Sequence, residues 1–284
     1  MIFEKTLIDN SKIRPFKGLM FETALNCTSC NKNYCKLSNI CYARRDAKQH
    51  KKHLDNTTAA ADNLNKICNN QDLFKKFVQY ITIQDFKVIR FNLVGDFKTE
   101  KNIKDLINLA TAAPQIKFYG YSKRHDLKDL LATAAAIDNI YLNSDLKKIY
   151  NINNVNQYKI HTNIKNYYNS SNKCGGSCSG CGYCYTLKNN QINTFIHSTP
   201  SHLQRFIKNE KNINFLLDLI NNKLNLNVTI DDIGGGFLVK SFIQLLNNQG
   251  VTTPYKTTSN GTKKELIKTV PDLLKFIDLK SAGL

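Results

Sequence analysis

The chain has 284 residues, 42% of them hydrophobic, with 40 Lys and Arg against 22 Asp and Glu for a formal net charge of +18; that is enough apolar material for a buried core and excludes a disordered chain. The charge suits anionic partners, but Asn- and Lys-rich runs such as NINNVN and NNKLNLN are spread along the chain as a compositional bias would spread them, so charge alone assigns no partner. No window approaches the ~18–20 apolar residues of a membrane span and the start, MIFEKTLIDNSKIRPF, lacks the apolar centre of a signal peptide, so a soluble cytoplasmic protein is expected, in which clustered thiols read as metal ligands before disulfides.

An apolar run over residues 18–25 predicts a first strand, followed by a thiol-rich loop over 27–45, CTSCNKNYCKLSNICYARR. Two helices come next. Asp55, Asn56 and Thr57 serve as caps for one with Ala60, Leu64, Ile67 and Cys68 on its apolar side, and Asp72 opens another with Leu73, Phe74, Phe77, Val78 and Ile81 at helical spacing. A βα rhythm then sets in: strand 87–94 (KVIRFNLV), helix 99–112, strand 116–121, helix 126–137, strand 140–142. Strand centres near Phe91, Phe118 and Tyr141 lie about 25 residues apart, the spacing of βα units in a parallel sheet. Right-handed crossovers would lay such strands side by side. The expected fold is α/β, a partial or full (β/α) barrel of parallel strands with a C-terminal helical appendage. Further strands are predicted at 158–161 and 194–196, and helices at 203–224, 237–248 and 263–279. Thr229 and Asp231 lie near helix starts. A boundary near Ser198 divides the chain into domains 1–198 and 199–284. The glycines at 234–236 form no phosphate loop, because no Gly-Lys-Ser/Thr follows them.

Eight of the nine cysteines fall in two sets. Cys174, Cys178, Cys181 and Cys184 run as C-x3-C-x2-C-x2-C within one glycine-punctuated loop. Structural zinc usually takes two knuckles separated by a longer excursion, which is missing here; the tight ladder is closer to the ligand run of an iron–sulfur cluster. Zinc and unliganded thiols remain the alternatives. Cys27, Cys30, Cys35 and Cys41, spaced C-x2-C-x4-C-x5-C, follow the first strand, and parallel α/β folds bind ligands at the carboxyl ends of strands. Three thiolates would leave one iron open for a substrate or S-adenosylmethionine, and four would close the cluster. Cys68, on an apolar helix face, reads as a small buried hydrophobe.

Other polar residues have two readings each. Arg90 and Asn92 alternate with Phe91 and Leu93 and line a barrel interior or face solvent; Tyr121, Ser122, Lys123 and Arg124 form an anion contact or a solvated loop. The six histidines show no metal spacing. Tyr167, Tyr168, Tyr183 and Tyr185 near Lys165, Lys173 and Lys188 suit base stacking, which gives a second reading: a basic nucleic-acid-binding module stapled by zinc or clusters. An electron carrier is a third.

At CYARR (41–45), RFNLVGDF (90–97), KFYGYSKR (117–124) and the second cysteine run, the chain resembles the phage gene-product-88 family. Members pair a cysteine loop ending in Cys-Tyr-Ala with a strand ending in Gly-Asp-Phe, a Tyr-Thr/Ser-Lys strand and a cysteine-rich segment. The resemblance covers 19–185. It departs in the first loop, where Thr28 stands in place of a Pro and five residues separate Cys35 from Cys41, which leaves open which thiols bind. The resemblance implies one or two [4Fe-4S] clusters. Its arrangement is similar to that of radical S-adenosylmethionine enzymes, and by that likeness Gly95 and Asp96 are cofactor-binding, facing the methionine amino group. Against this, Asp96 also reads as part of a helix N-cap ahead of Thr99.

Overall fold

The computed structural model describes residues 2–9, 13, 15–23, 25–34, 48, 50–145, 150, 152–161, 163–174, 182–195, 210–233, 238–257, 263–267 and 270–284. The chain forms two compact units, Met1–Lys159 with Ser177–Ile192, and Ile160–Gly176 with Asn193–Leu284. No helix among the described residues is long and apolar enough to cross a membrane.

Six strands, β1 (Lys17–Leu19), β2 (Val88–Phe91), β3 (Lys117–Tyr121), β4 (Ile140–Ser144), β5 (Val155–His161) and β6 (Gln191–Phe195), make one sheet in the order of the chain. Neighbours from β1 to β5 pair in parallel. The sheet has two edges, β1 and β6. It is therefore an open α/β sheet and not a closed barrel.

The helices of the first unit are α1 (Ile2–Thr6), α2 (Thr28–Asn31), α3 (Lys51–Cys68), α4 (Gln71–Ile83), α5 (Glu100–Ala112) and α6 (Lys128–Ala136). Their apolar stripes follow the helical repeat: Ala60, Leu64 and Ile67 on α3, Phe77 and Ile81 on α4, Ile103, Leu106 and Leu109 on α5 are all buried. Ala60 packs with Ile13, Met20, Leu93 and Val94, and the others meet Leu19, Ile89, Phe91, Phe118, Ile140, Leu142 and Val155 in one core. Caps set two of the starts. Asn70 Oδ1 accepts from Leu73 N at 3.0 Å ahead of α4, and Asn102 Oδ1 accepts from Thr99 N at 3.0 Å and Lys98 N at 3.1 Å ahead of α5.

Strand register sorts the sheet into two chemically distinct faces. Leu19, Phe91, Gly120, Leu142 and Val155 lie in one row and belong to the core side. Tyr121, Asn143 and Asn156 lie in the next row, with their side chains on the opposite face because side chains alternate along a strand. Arg90 and Tyr119 share that opposite face, with Tyr141 as the partner of Tyr119.

The second unit holds α7 (Ile164–Tyr168), α9 (Glu210–Leu224), α10 (Leu238–Asn248), the antiparallel strands β7 (Tyr255–Thr257) and β8 (Lys263–Glu265), and α11 (Val270–Ser281); α8 (Tyr183–Thr186) belongs to the first unit. Leu216, Leu217 and Ile220 of α9 and Leu273, Leu274 and Ile277 of α11 are buried, and the two helices pack together. Asn212, buried on α9, accepts from Ile164 N at 2.8 Å.

Three local expectations are corrected. Residues 263–279 are not one helix: Lys263–Glu265 is a strand and the helix begins at Val270, because Pro271 in a helix starting at 263 would clash with the preceding turn but is tolerated in a first turn. Asp55, Asn56 and Thr57 do not cap α3, which starts at Lys51; Thr57 Oγ1 instead bonds back to His53 O at 3.0 Å and Leu54 O at 2.9 Å. The first strand stops at Leu19 and the second at Phe91, where 18–25 and 87–94 were expected, since Asn92 takes a left-handed φ of 49° and turns β2 away just after the Leu19–Phe91 pair.

Candidate functional site

Because the strands are parallel, the segments following β1, β2, β3 and β4 all leave the same edge of the sheet, where such folds place ligands. Among the described residues strand order never reverses, so they form no crevice of the doubly wound kind, and chemistry at this edge depends on how the loops hold one another. The loop after β2 meets the loop after β1 at Gly95. Its φ is +78°, and a Cβ there would lie 2.6 Å from Glu22 O and 2.9 Å from Thr23 O. Only glycine fits both conditions.

Downstream of that contact, α2 makes a single turn with Cys27 at its N-cap and Cys30 inside it. A helix of this length does not hold itself together, so its anchors matter. Glu22 supplies one: Thr28 N donates to Oε2 at 2.7 Å and Thr28 Oγ1 to Oε1 at 2.9 Å. Asp96 supplies the second, taking Ser29 Oγ at 2.6 Å. Lys32 supplies the third by pairing with Asp126 at 2.8 Å. Cys27 and Cys30, 7% and 5% exposed, are thus presented by a turn tied to the loops after β1, β2 and β3, and neither is in a disulfide.

Asp96 is the junction of these loops. Its Oδ2 accepts from Ser29 Oγ and from Lys123 N at 2.8 Å, and its Oδ1 from Phe97 N at 2.8 Å and Asn92 Nδ2 at 3.4 Å. At 4% exposure its pKa is raised by burial, against the pull of those hydrogen bonds. Glu22 is raised likewise by burial, opposed by its Thr28 bonds, with the nearby Asp96 charge adding to the rise. Asp96 is not the cap of α5, a role taken by Thr99 and Asn102. Asn92 Oδ1 is buried without a hydrogen-bond partner among the described residues.

Arg124 closes the array. Its guanidinium grips Asp126 through Nε at 2.8 Å and Nη2 at 2.8 Å, and Nη1 donates to Phe97 O and, at 2.9 Å, to Lys98 O. The Arg124 hydrogen bond holds the Asp126 carboxyl well below the usual range. Ser122 and Arg124 are buried, so this stretch is no solvated loop. Asn92 is buried too and Arg90 half-buried, with its guanidinium 5.1 Å from the Tyr121 ring centre.

Helix α8 lies against β3 and β4. Cys184 Sγ is 2.9 Å from Tyr121 Oη, and Asn143 Nδ2 donates to Cys184 O at 3.3 Å. Tyr185 packs on Tyr119 and Phe16 at ring separations of 5.3 and 5.2 Å. Cys184 therefore belongs with the polar face of the sheet in the first unit, while Cys174 belongs to the second unit, where its N–H donates to Asn193 O at 2.7 Å. Cys35, Cys41, Cys178 and Cys181 lie outside the described residues, and among the described residues no three His, Cys, Asp or Glu side chains gather as a metal-binding group.

The remaining candidates have structural company. Burial pushes the Cys68 thiol up to about 12, consistent with a packed hydrophobe. His161 Nε2 is 2.8 Å from Asn193 Oδ1. Tyr167 is buried, and Lys188 Nζ donates to Ile137 O at 2.9 Å near the end of α6. Glu22, Ser29 and Asn143 were not anticipated from the sequence. An open cleft of about 390 Å³ beside the cysteine turn is lined by Thr23, Leu25 and Asn26 on one side and Leu54, Asp55 and Asp62 of α3 on the other.

No curated protein and no solved structure matches this chain. The stretch that does match a family runs over residues 5–163, more than half of the chain, and takes in the cysteine turn, its Glu22 and Asp96 anchors and strands β1 to β5. By that match the chain belongs to the Gene product 88 family.

Proposed function

We propose that this protein binds an iron–sulfur cluster at the carboxyl edge of its sheet, through Cys27 and Cys30 together with Cys35 and Cys41 of the same loop, and that it works in a reducing cytoplasm as a radical S-adenosylmethionine-like enzyme. The observation that carries the reading is the pair of buried, unbridged thiols on one turn that three loops hold in place. The donor set fits the group: soft sulfur ligands, three residues apart on a single helical turn, at the edge where parallel sheets bind cofactors. A bound cluster supplies electrons singly, which reductive cleavage of S-adenosylmethionine requires. The chain's own part is positional. Glu22 and Asp96 hold the turn, burial keeps bulk water from the sulfurs, and the Arg124 cation offsets the two carboxylates beside it.

The test is iron and acid-labile sulfide analysis of oxygen-free protein, with electron paramagnetic resonance of the reduced sample before and after S-adenosylmethionine. A cluster signal that changes on addition of the cofactor and disappears in Cys27→Ser/Cys30→Ser supports the reading. Iron and sulfide without a response to S-adenosylmethionine leave a cluster protein and remove the enzyme. Stoichiometric zinc without iron overturns both.

A further inference from the structure

We infer that Asp96 is the positioning residue of the cysteine turn, acting through Ser29. Ser29 sits between the two thiols, so whatever fixes it fixes both. Its hydroxyl is buried and donates to Asp96 Oδ2 at 2.6 Å across 67 residues of chain. A hydrogen bond to a carboxylate is among the stronger ones in a protein. Asp96 is itself immobilised by Phe97 N and Lys123 N, two backbone donors from the segments after β2 and β3, so the tie runs from the turn into the rigid frame of the sheet. Ser29 Oγ, Lys123 N, Phe97 N and Asn92 Nδ2 all donate to its oxygens, which an ionised carboxylate satisfies and an amide would not, since an amide nitrogen would then oppose Ser29 or a backbone N–H. The carboxylate thus serves the sulfurs indirectly rather than touching a ligand. This role rests on the cluster reading for its purpose, but the tie can be measured without a metal.

The experiment follows alkylation of Cys27 and Cys30 by iodoacetamide in the reduced, metal-free full-length chain, read peptide by peptide in a mass spectrometer. Cys68, partly buried against the core with its thiol pushed up to about 12, is the internal control for global opening. In Ser29→Ala both thiols should react about tenfold faster, corresponding to about 1.4 kcal/mol of lost closure, while Cys68 is unchanged; Ser29→Thr, which keeps the hydroxyl, should restore the wild-type rate. Asp96→Asn should resemble Ser29→Ala. Ser29→Ala rates within twofold of wild type, or a parallel rise at Cys68, overturn the inference. Wild-type protein that takes up no iron and sulfide overturns the cluster reading and leaves the alkylation result to judge the tie alone. Where iron is bound, faster loss of it to a chelator in Ser29→Ala than in Ser29→Thr supports the inference, and equal loss overturns it.

Discussion

Replacing Gly95 with alanine tests whether the loops after β1 and β2 are as closely joined as the structure has them. Two costs add. A left-handed φ of +78° disfavours an L side chain by about 1–2 kcal/mol. The new Cβ would also stand 2.6 Å from Glu22 O and 2.9 Å from Thr23 O, both backbone atoms that cannot swing aside, so the loop must shift, at about 1–3 kcal/mol. Gly182 supplies the comparison. It lies in the same unit with a φ of +70°, but among the described residues its Cβ would meet nothing closer than Tyr185 Oη at 3.5 Å, leaving only the backbone cost. With a urea dependence of about 3 kcal/mol per molar, Gly95→Ala should lower the unfolding midpoint by about 1 M and Gly182→Ala by about 0.5 M. The assay is urea titration of the metal-free protein followed by far-ultraviolet circular dichroism. Equal shifts for the two variants would refute the close approach of Gly95 to the Glu22–Thr23 backbone.

Two further outcomes are expected. Asp126, with its carboxyl held low by Arg124 and Lys32, contributes stability that is present above the unfolded carboxyl pKa of about 3.9 and is lost as pH falls through the lower folded value; Asp126→Asn should therefore melt lower than wild type at pH 7, and the gap should narrow below pH 4 in thermal scans, whereas parallel pH profiles would contradict the pairing. Asn139 Nδ2 donates to Ala110 O, Ala113 O and Ile116 O at 2.9, 3.1 and 2.9 Å around the end of α5; Asn139→Ala should cost about 1–3 kcal/mol in chemical denaturation, and Asn139→Asp more, because a carboxylate would face carbonyl oxygens at the negative end of a helix.

The elements legible in the sequence were those whose signal is local and periodic. Helix α5 lies within a residue of its expected span because Ile103, Leu106 and Leu109 repeat at helical spacing behind Thr99, and β3 shows its run of apolar and aromatic residues. Pro271 was equally visible and should have split the last helix. The shortening of β2 was not visible, because Asn92 takes its left-handed backbone among tertiary contacts with Asp96 and Tyr121 O. At the site, thiol spacing marked Cys27 and Cys30, but the Asp96 that anchors Ser29 between them lies 67 residues away, beyond any local window of sequence. The polar sheet face was hidden for a related reason. Asn143 and Asn156 are turn-formers by composition, and only the register that sets them side by side, with Asn156 Nδ2 reaching Asn143 Oδ1 at 3.2 Å, makes them strand residues.

Strand order that follows chain order has a consequence in time. Each strand from β2 onward finds its partner already made, so the sheet can grow in step with translation, without waiting for a distant segment. The thiols do not share that advantage. Ser29 leaves the ribosome 67 residues ahead of Asp96, an interval of about 3–13 s at ~5–20 residues per second. During that interval the nascent turn has Glu22 but neither of its later anchors, and its sulfurs are at their most open to incoming metal or to oxidants.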